Sequence, residues 1–413
     1  MTAAVHLVER RGSEDAVSGS WEAGAVGPVR TVAAASVATV VAIMPAFFAG
    51  ASGVFLREDL GFDEAGLGLA IAVFMATSAV FGVVGGRLCE RIGAGNALKL
   101  VGIGSGAVML AVAALASSLL HLVALLAVGG AFNSIAQPGG NLALARGVVV
   151  RPALMFGVRQ AAIPLATLLA GASVPLLSLT VGWRWAFGAG AGLALSVAVF
   201  VPRRLAPAQP RRVTRRRQGD AATGPLVALS VGFGVGIAAA VSLGSFLVES
   251  AVAAGVAAGT AGWLLVAGSL AGIIARIVAG WLADRYRGRA LFMVSAMLVL
   301  GALGYGMLSV GGPVLLTLGT LLAYGAGWGW GGLVFFAVVR LNPNAPAAAT
   351  GIVSAGGAGG AALGPLAFGY IVTVASFPVA WGLAAIAALV ASGLVLVART
   401  WLVRDRDRRA AAG

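Results

Sequence analysis

Gly280-Trp281-Leu282-Ala283-Asp284-Arg285-Tyr286-Arg287-Gly288-Arg289 sits between two long apolar runs, and it has an echo at Gly86-Arg87-Leu88-Cys89-Glu90-Arg91-Ile92-Gly93. Both are short charged interruptions in a chain that otherwise avoids charge. The register that sets Glu90 on Asp284 also sets Gly86 on Gly280, Leu88 on Leu282, Arg91 on Arg285, Arg146 on Arg340 and Gly157 on Gly351. That many landmarks in one register point to an internal duplication, each copy about half of the chain.

The 413 residues are 60% hydrophobic and only 10% charged, with a mean hydropathy of +0.98. A water-soluble domain carries about 25% charged residues. Apolar runs of about twenty residues recur along the chain, the length that crosses a bilayer core. The composition therefore implies a polytopic, all-α membrane protein.

A net charge of +14 raises nucleic acid as a partner, but the placement of the charges argues against it. Arg57 and Arg184 fall in loops read as external, and Arg159 and Arg276 fall inside spans; the other basic residues lie in the tails and in every second loop. That alternation is the positive-inside bias, and it predicts an inner (cytoplasmic) membrane protein with both termini cytoplasmic. Residues 1–28 read as a polar tail whose Arg10-Arg11 pair leads into no cleavable signal, so the first span is expected to act as an uncleaved anchor. Cys89 is the only cysteine and there are two histidines, His6 and His121. No disulfide, metal site or catalytic triad is expected, nor any cofactor. No phosphate-cradling Gly-Lys-Ser/Thr loop occurs, so neither an enzyme nor ATP-driven transport is expected.

Twelve spans are predicted. The first six are about 29–50, 64–86, 96–119, 121–145, 153–180 and 183–201. The second six are about 225–250, 260–283, 290–310, 313–339, 347–375 and 379–402. The expected organisation is a tail over 1–28, a six-helix bundle over 29–201, a linker over 202–223, a second bundle over 224–402, and a tail over 403–413. The linker carries three prolines and seven arginines; it reads as a solvated segment or as one drawn to anionic lipid headgroups. Asp63 is placed to cap the second span.

The two charged stretches resemble the loop motif of the major facilitator superfamily, which that family carries between its second and third helices and again between its eighth and ninth. Gly280, Asp284, Arg285, Gly288 and Arg289 match, with one residue too many at Tyr286-Arg287; Gly86, Glu90, Arg91 and Gly93 match with Glu in place of Asp. The resemblance runs from about 29 to 402 and implies two pseudo-symmetric six-helix bundles that work by alternating access. By the symmetry it implies, Asp284 meets the start of span 5 near Gly157, and Glu90 meets the start of span 11 near Gly351. Gly86, Glu90, Arg91, Gly280, Asp284, Arg285 and Arg289 are then a gate that opens and closes one side. The glycines and proline of span 11 (Gly351, Gly356, Gly357, Gly359, Gly360, Gly364, Pro365, Gly369), with Pro164, Gly171 and Pro175 of span 5, are expected at a rocking interface between the halves.

Substrate contacts are sought among polar groups, which hydrocarbon penalises. Asn133, Gln137 and Asn141 repeat every four residues and form one polar stripe roughly 12 Å long; by the resemblance, span 4 lines a central cavity. Arg159, beside Gln160, reads either as a buried cation awaiting an anion or as an arginine reaching the interface. Arg276 is assigned to the charged cluster around Asp284. Tyr324, Trp328 and Phe335 are spaced to share one face of span 10, with Met44, Phe47 and Phe48 opposite. Glu249 is the acid nearest a membrane-embedded position, either a proton-coupling site or an interfacial cap. The expected function is transport of a small organic molecule, with export, with or without coupling to protons, as the leading reading. The alternatives are import of a small organic anion and a ligand sensor that moves nothing. Membrane lipid surrounds the chain, which is expected to be a monomer.

Overall fold

The structure, a computed structural model, describes residues 28–144, 152–201, 223–286, 288–342 and 345–411. Nearly all of the expected tail over 1–28 and linker over 202–223 therefore lie outside the described residues. So do Arg146 and Arg287.

Every described element is a helix, the form in which an apolar chain satisfies its own backbone without water. Among the described residues eleven helices are each long and apolar enough to cross a membrane, or twelve when the pair Gly53–Leu60 and Glu64–Val80, bent by 112°, counts as one. Span 1 is Pro28–Ala51. A short helix, Gly53–Leu60, leads to span 2, which runs Glu64–Val80 and, past a break at Phe81, Gly82–Ile92. Asp63 caps it as expected, its Oδ1 accepting from the Gly66 N–H at 2.8 Å. Spans 3 and 4 are Ala94–Leu115 and Leu119–Leu144. Span 5 is built from Pro152–Gln160, Ala162–Ser173 and a π-helical turn at Val174–Ser178, and span 6 is Trp183–Phe200. Spans 7, 8 and 9 are Thr223–Ala253, Ala258–Arg285 and Ala290–Val310. Span 10 consists of Pro313–Leu322, a π-helical turn at Ala323–Gly327 and Gly331–Leu341; spans 11 and 12 are Pro346–Val374 and Phe377–Ala411.

The glycine that closes each charged stretch has a local cause. Gly93 (φ 80°) and Gly288 (φ 86°) both occupy the left-handed region, which a side chain disfavours and glycine enters freely. The extra residue of the second stretch moves that turn one position along without losing it.

Two of the seams that join spans 1–6 to spans 7–12 are made differently. Spans 5 and 8 meet along most of their length. A Cβ on Gly280 would lie 2.8 Å from the Ala153 carbonyl, and one on Gly171 would lie 2.9 Å from that of Gly262. Between these points Thr167 Oγ1 and Ser269 Oγ hydrogen-bond at 2.7 Å. Such close approach is what small residues provide where lipid supplies no hydrophobic drive. Spans 2 and 11 meet toward the end away from the charged stretches: Gly68 abuts the Pro365 carbonyl, Gly369 abuts that of Glu64, and Ala65 N–H donates to Thr373 Oγ1 at 3.1 Å. At the other end of this pair, Gly82, Gly86, Gly351 and Gly359 face open space.

The glycines of span 11 therefore divide: Gly369, with Pro365, meets span 2 at the expected interface between halves, whereas Gly356, Gly357, Gly360 and Gly364 depart from it. Gly356, Gly360 and Gly364 pack onto Ser230, Gly234 and Ala238 of span 7, in the same half, and Ser230 Oγ donates to the Ile352 carbonyl at 2.7 Å. The single cysteine is walled in: Cys89 is buried, its Sγ 3.5 Å from the Ile135 carbonyl.

Candidate functional site

At the end of the bundle that carries the charged stretches, the motif end, Asp284 crosses between the halves. Its Oδ1 accepts from the Ala153 N–H at 3.1 Å and its Oδ2 from the Leu154 N–H at 3.0 Å. These are free donors in the first turn of the helix that opens span 5, and that terminus carries partial positive charge. A carboxylate bridging two such donors is a charge-assisted contact. Gly280, one turn earlier, lets the two backbones come close enough for it.

The echo behaves differently. Glu90 is exposed and pairs with nothing among the described residues. Gly86 and Gly351 face open space, so the expected contact between Glu90 and the start of span 11 is not made in this conformation. The physical reason lies in the second seam, whose two spans are parted at this end. Arg91, Arg285 and Arg289 are exposed as well.

At the far end the halves are tied by charge. Arg57, on the short helix after span 1, donates from Nε to Glu249 Oε1 of span 7 at 2.8 Å, and its Nη1 lies 2.8 Å from Glu64 Oε1. The Arg57 side chain is 25% exposed and that of Glu249 1%, and Glu249 Oε2 has no partner among the described residues. Gly53 is packed so closely that a Cβ would lie 2.6 Å from Glu249 Oε1. Glu249 is therefore an ion-pair partner across the halves, a role that its span-end position did not reveal.

Between these ties lie the polar groups of the interior. Arg159 gathers the stripe of span 4: its Nη2 donates to Gln137 Oε1 at 2.6 Å and to the Gln137 carbonyl at 3.1 Å, and its Nη1 to Asn141 Oδ1. Gln137 and Asn141 are exposed. Asn133 leaves the group, its Nδ2 donating to Ser78 Oγ of span 2 at 2.9 Å, so it joins two helices of one half. Gln160 is half-buried beside Arg159.

Arg276 is a correction. It is 3% exposed, two helical turns from Asp284, and takes no part in the charged cluster at the motif end. Its Nη1 donates to the Gly272 carbonyl of its own helix at 3.0 Å, and its Cζ lies 5.6 Å from the centre of the Trp328 ring. Trp328 meets Phe47 of span 1 edge-on at 5.7 Å and Tyr324 at 5.6 Å. Phe48 turns instead to Phe187 of span 6, at 6.0 Å, and Met44 lies against Gly190. Phe335 contacts Phe233 at 5.3 Å, away from Trp328. The π-helical turn at Ala323–Gly327 breaks the spacing that placed Tyr324, Trp328 and Phe335 on one face.

Among the described residues no group of three or more His, Cys, Asp or Glu is arranged to hold a metal ion.

A sequence model of the Major Facilitator Superfamily matches residues 34–339 and 226–412. No curated protein matches the chain. Among solved structures, the chain is similar to the nucleoside transporter NupG in its D323A form, with a TM-score of 0.67 at 14% identity over 89% of this chain and 99% of that one. It is similar also to a bacterial homologue of the human lysosomal transporter Spinster, in an inward-facing and occupied conformation. There the TM-score is 0.67 at 14% identity, over 93% of this chain and 98% of that one. At such identity the likeness concerns the fold.

Proposed function

Because the chain belongs to the Major Facilitator Superfamily, we propose that it is a secondary transporter exporting a small organic molecule across the inner membrane by alternating access. In this reading the motif end faces the cytoplasm, as the positive-inside bias predicts, and the chain works as a monomer. The observation that carries it is the pair of polar ties at opposite ends of the halves: Asp284 on the first turn of span 5, and Arg57 on Glu249. Each is a small set of hydrogen bonds that water can replace when its end opens. A seam made only of apolar packing would offer no such exchange. Rocking between two such states is how paired helix bundles pass a solute around a fixed site.

Arg159 with Gln137 and Asn141, together with Gln160, Tyr324 and Trp328, is proposed to meet the substrate between these ties. Glu249 is proposed as the proton site, since it is a buried carboxylate with one free oxygen. The second reading, import of a small organic anion, is favoured by the Arg159 cluster, where a guanidinium is held by two neutral amides and by no acid among the described residues.

The test is a pair of single-cysteine reporters, one at each end, with accessibility to a thiol reagent measured in membranes. Alternating access predicts that locking one end closed exposes the other. Two ends that open and close together would sink the reading. Direction is settled by reconstitution with the motif end labelled, comparing uptake into right-side-out and inverted vesicles.

A further inference from the structure

The Arg159 cluster explains how that cation is satisfied; nothing described explains Arg276. It lies deep in the bundle at 3% exposure and forms no ion pair with a described acid. Among the described residues its Nε has no hydrogen-bond partner, and its one hydrogen bond is from Nη1 to Gly272 O, at 3.0 Å. The guanidinium is planar. With Nη1 turned back onto its own helix, the free edge is the one formed by Nε and Nη2. Two parallel N–H groups on one edge match the two oxygens of a carboxylate. A buried cation without a counter-ion is costly, and such residues inside membrane helices mark substrate or ion pathways.

The surroundings fit an organic acid rather than a bare ion. Trp328 lies against the guanidinium, with Cζ 5.6 Å from its ring centre, and Phe47 closes on Trp328 from span 1. Tyr324 packs on Trp328 from the same span, with ring centres 5.6 Å apart. An anchor for charge and an aromatic wall sit where spans 1, 8 and 10 converge, against the span 5 seam at Gly157.

The geometry points to a carboxylate-binding subsite at Arg276, in which the Nε–Nη2 edge takes the acid group of a small organic anion and Trp328 covers its body. This rests on the transport reading only for its biological purpose. The binding itself is independent of direction and coupling.

The experiment is a thermal-shift titration of the purified full-length protein with acetate, pyruvate, succinate and benzoate, with acetamide and benzamide as uncharged controls. A ligand that binds only the folded state raises Tm with concentration. At least one acid is expected to raise Tm while its amide does not. Arg276→Gln should weaken that response at least tenfold, and Arg159→Gln should weaken it less. Without ligand, Arg276→Gln should melt at or above wild type, because it removes an uncompensated buried charge; a purely structural arginine would give a lower Tm. Should Arg276→Gln fail to fold, modification of Arg276 by phenylglyoxal in the wild type, read by mass spectrometry, should be slowed by the same acid. No response to any acid, or a response that survives Arg276→Gln, overturns the subsite. In either event the two-ended accessibility test of alternating access stands or falls separately.

Discussion

Arg57 and Glu249 lie 192 positions apart in the chain, in opposite halves, and meet through a 2.8 Å hydrogen bond that leaves the second carboxylate oxygen without a partner among the described residues. Glu64 shares the same guanidinium at 2.8 Å. The far end is therefore closed by one cation held between two acids, and loss or neutralisation of either partner changes how firmly it is closed.

The first prediction concerns this tie. Arg57→Ala strands a buried carboxylate and is expected to cost about 2–3 kcal/mol, the low side for breaking a buried pair because Arg57 remains partly in water. Glu249→Gln keeps an acceptor for Arg57 and should fold. If Glu249 is the proton site, this variant loses flux driven by a pH gradient yet keeps substrate exchange. Reconstituted counterflow and gradient-driven uptake, measured side by side, decide it; unchanged pH dependence removes the role.

The second prediction separates the two motif acids proposed for the gate. Asp284→Asn replaces a carboxylate that bridges two helix-start donors and should destabilise by about 1 kcal/mol, with transport falling at least tenfold while insertion into the membrane is unaffected. Glu90→Gln touches no described partner in this conformation, so its effect on Tm should stay within about 0.5 kcal/mol. Wild-type flux in Asp284→Asn would remove the gate assignment.

The third uses the glycines of the two motif copies. Gly280→Leu forces a side chain against the Ala153 backbone, where even a Cβ would lie 2.8 Å from the carbonyl. Overpacking of this kind costs about 1–3 kcal/mol and should push spans 5 and 8 apart at the motif end. Gly86→Leu enters open space and should leave this conformation unstrained. Denaturant unfolding in detergent, with a distance probe across each seam, checks both.

A fourth concerns the middle of the span 5–span 8 seam. A double-mutant cycle on Thr167→Val and Ser269→Ala should give a coupling of about 0.6 kcal/mol, the mean for hydrogen bonds between membrane helices. No measurable coupling would mean that close backbone contact alone holds the seam.

Much of this architecture is legible in the sequence because hydrocarbon enforces it. Apolar length sets the spans, charge marks their ends, and a duplicated motif discloses the two halves. The prediction of span 9 at 290–310 coincides with the helix Ala290–Val310. Contacts between spans are harder to read, since small residues pack in either direction: Gly356, Gly360 and Gly364 of span 11 pack on span 7 while Gly369 of the same run packs on span 2. Spacing failed at Phe335, because a π-helical turn inserts itself upstream with no marker but Tyr324-Gly325-Ala326-Gly327. Arg276 was misplaced since its distance from Asp284 along one helix face suggested a shared cluster, whereas two turns carry it from the motif end into the packed interior. The tie between Arg57 and Glu249 joins residues far apart in the chain, and no local pattern announces it.

Cys89 has a practical value that reaches beyond packing. Its thiol is enclosed against the Ile135 carbonyl, so a polar maleimide added to the native protein should find almost nothing to react with. The natural chain therefore serves as its own silent background: a spin label or fluorophore can be attached at one chosen site without first rebuilding the protein around a cysteine-free template. Should Cys89 become reactive while substrate is turning over, that reactivity would itself time the moment at which spans 2 and 4 separate.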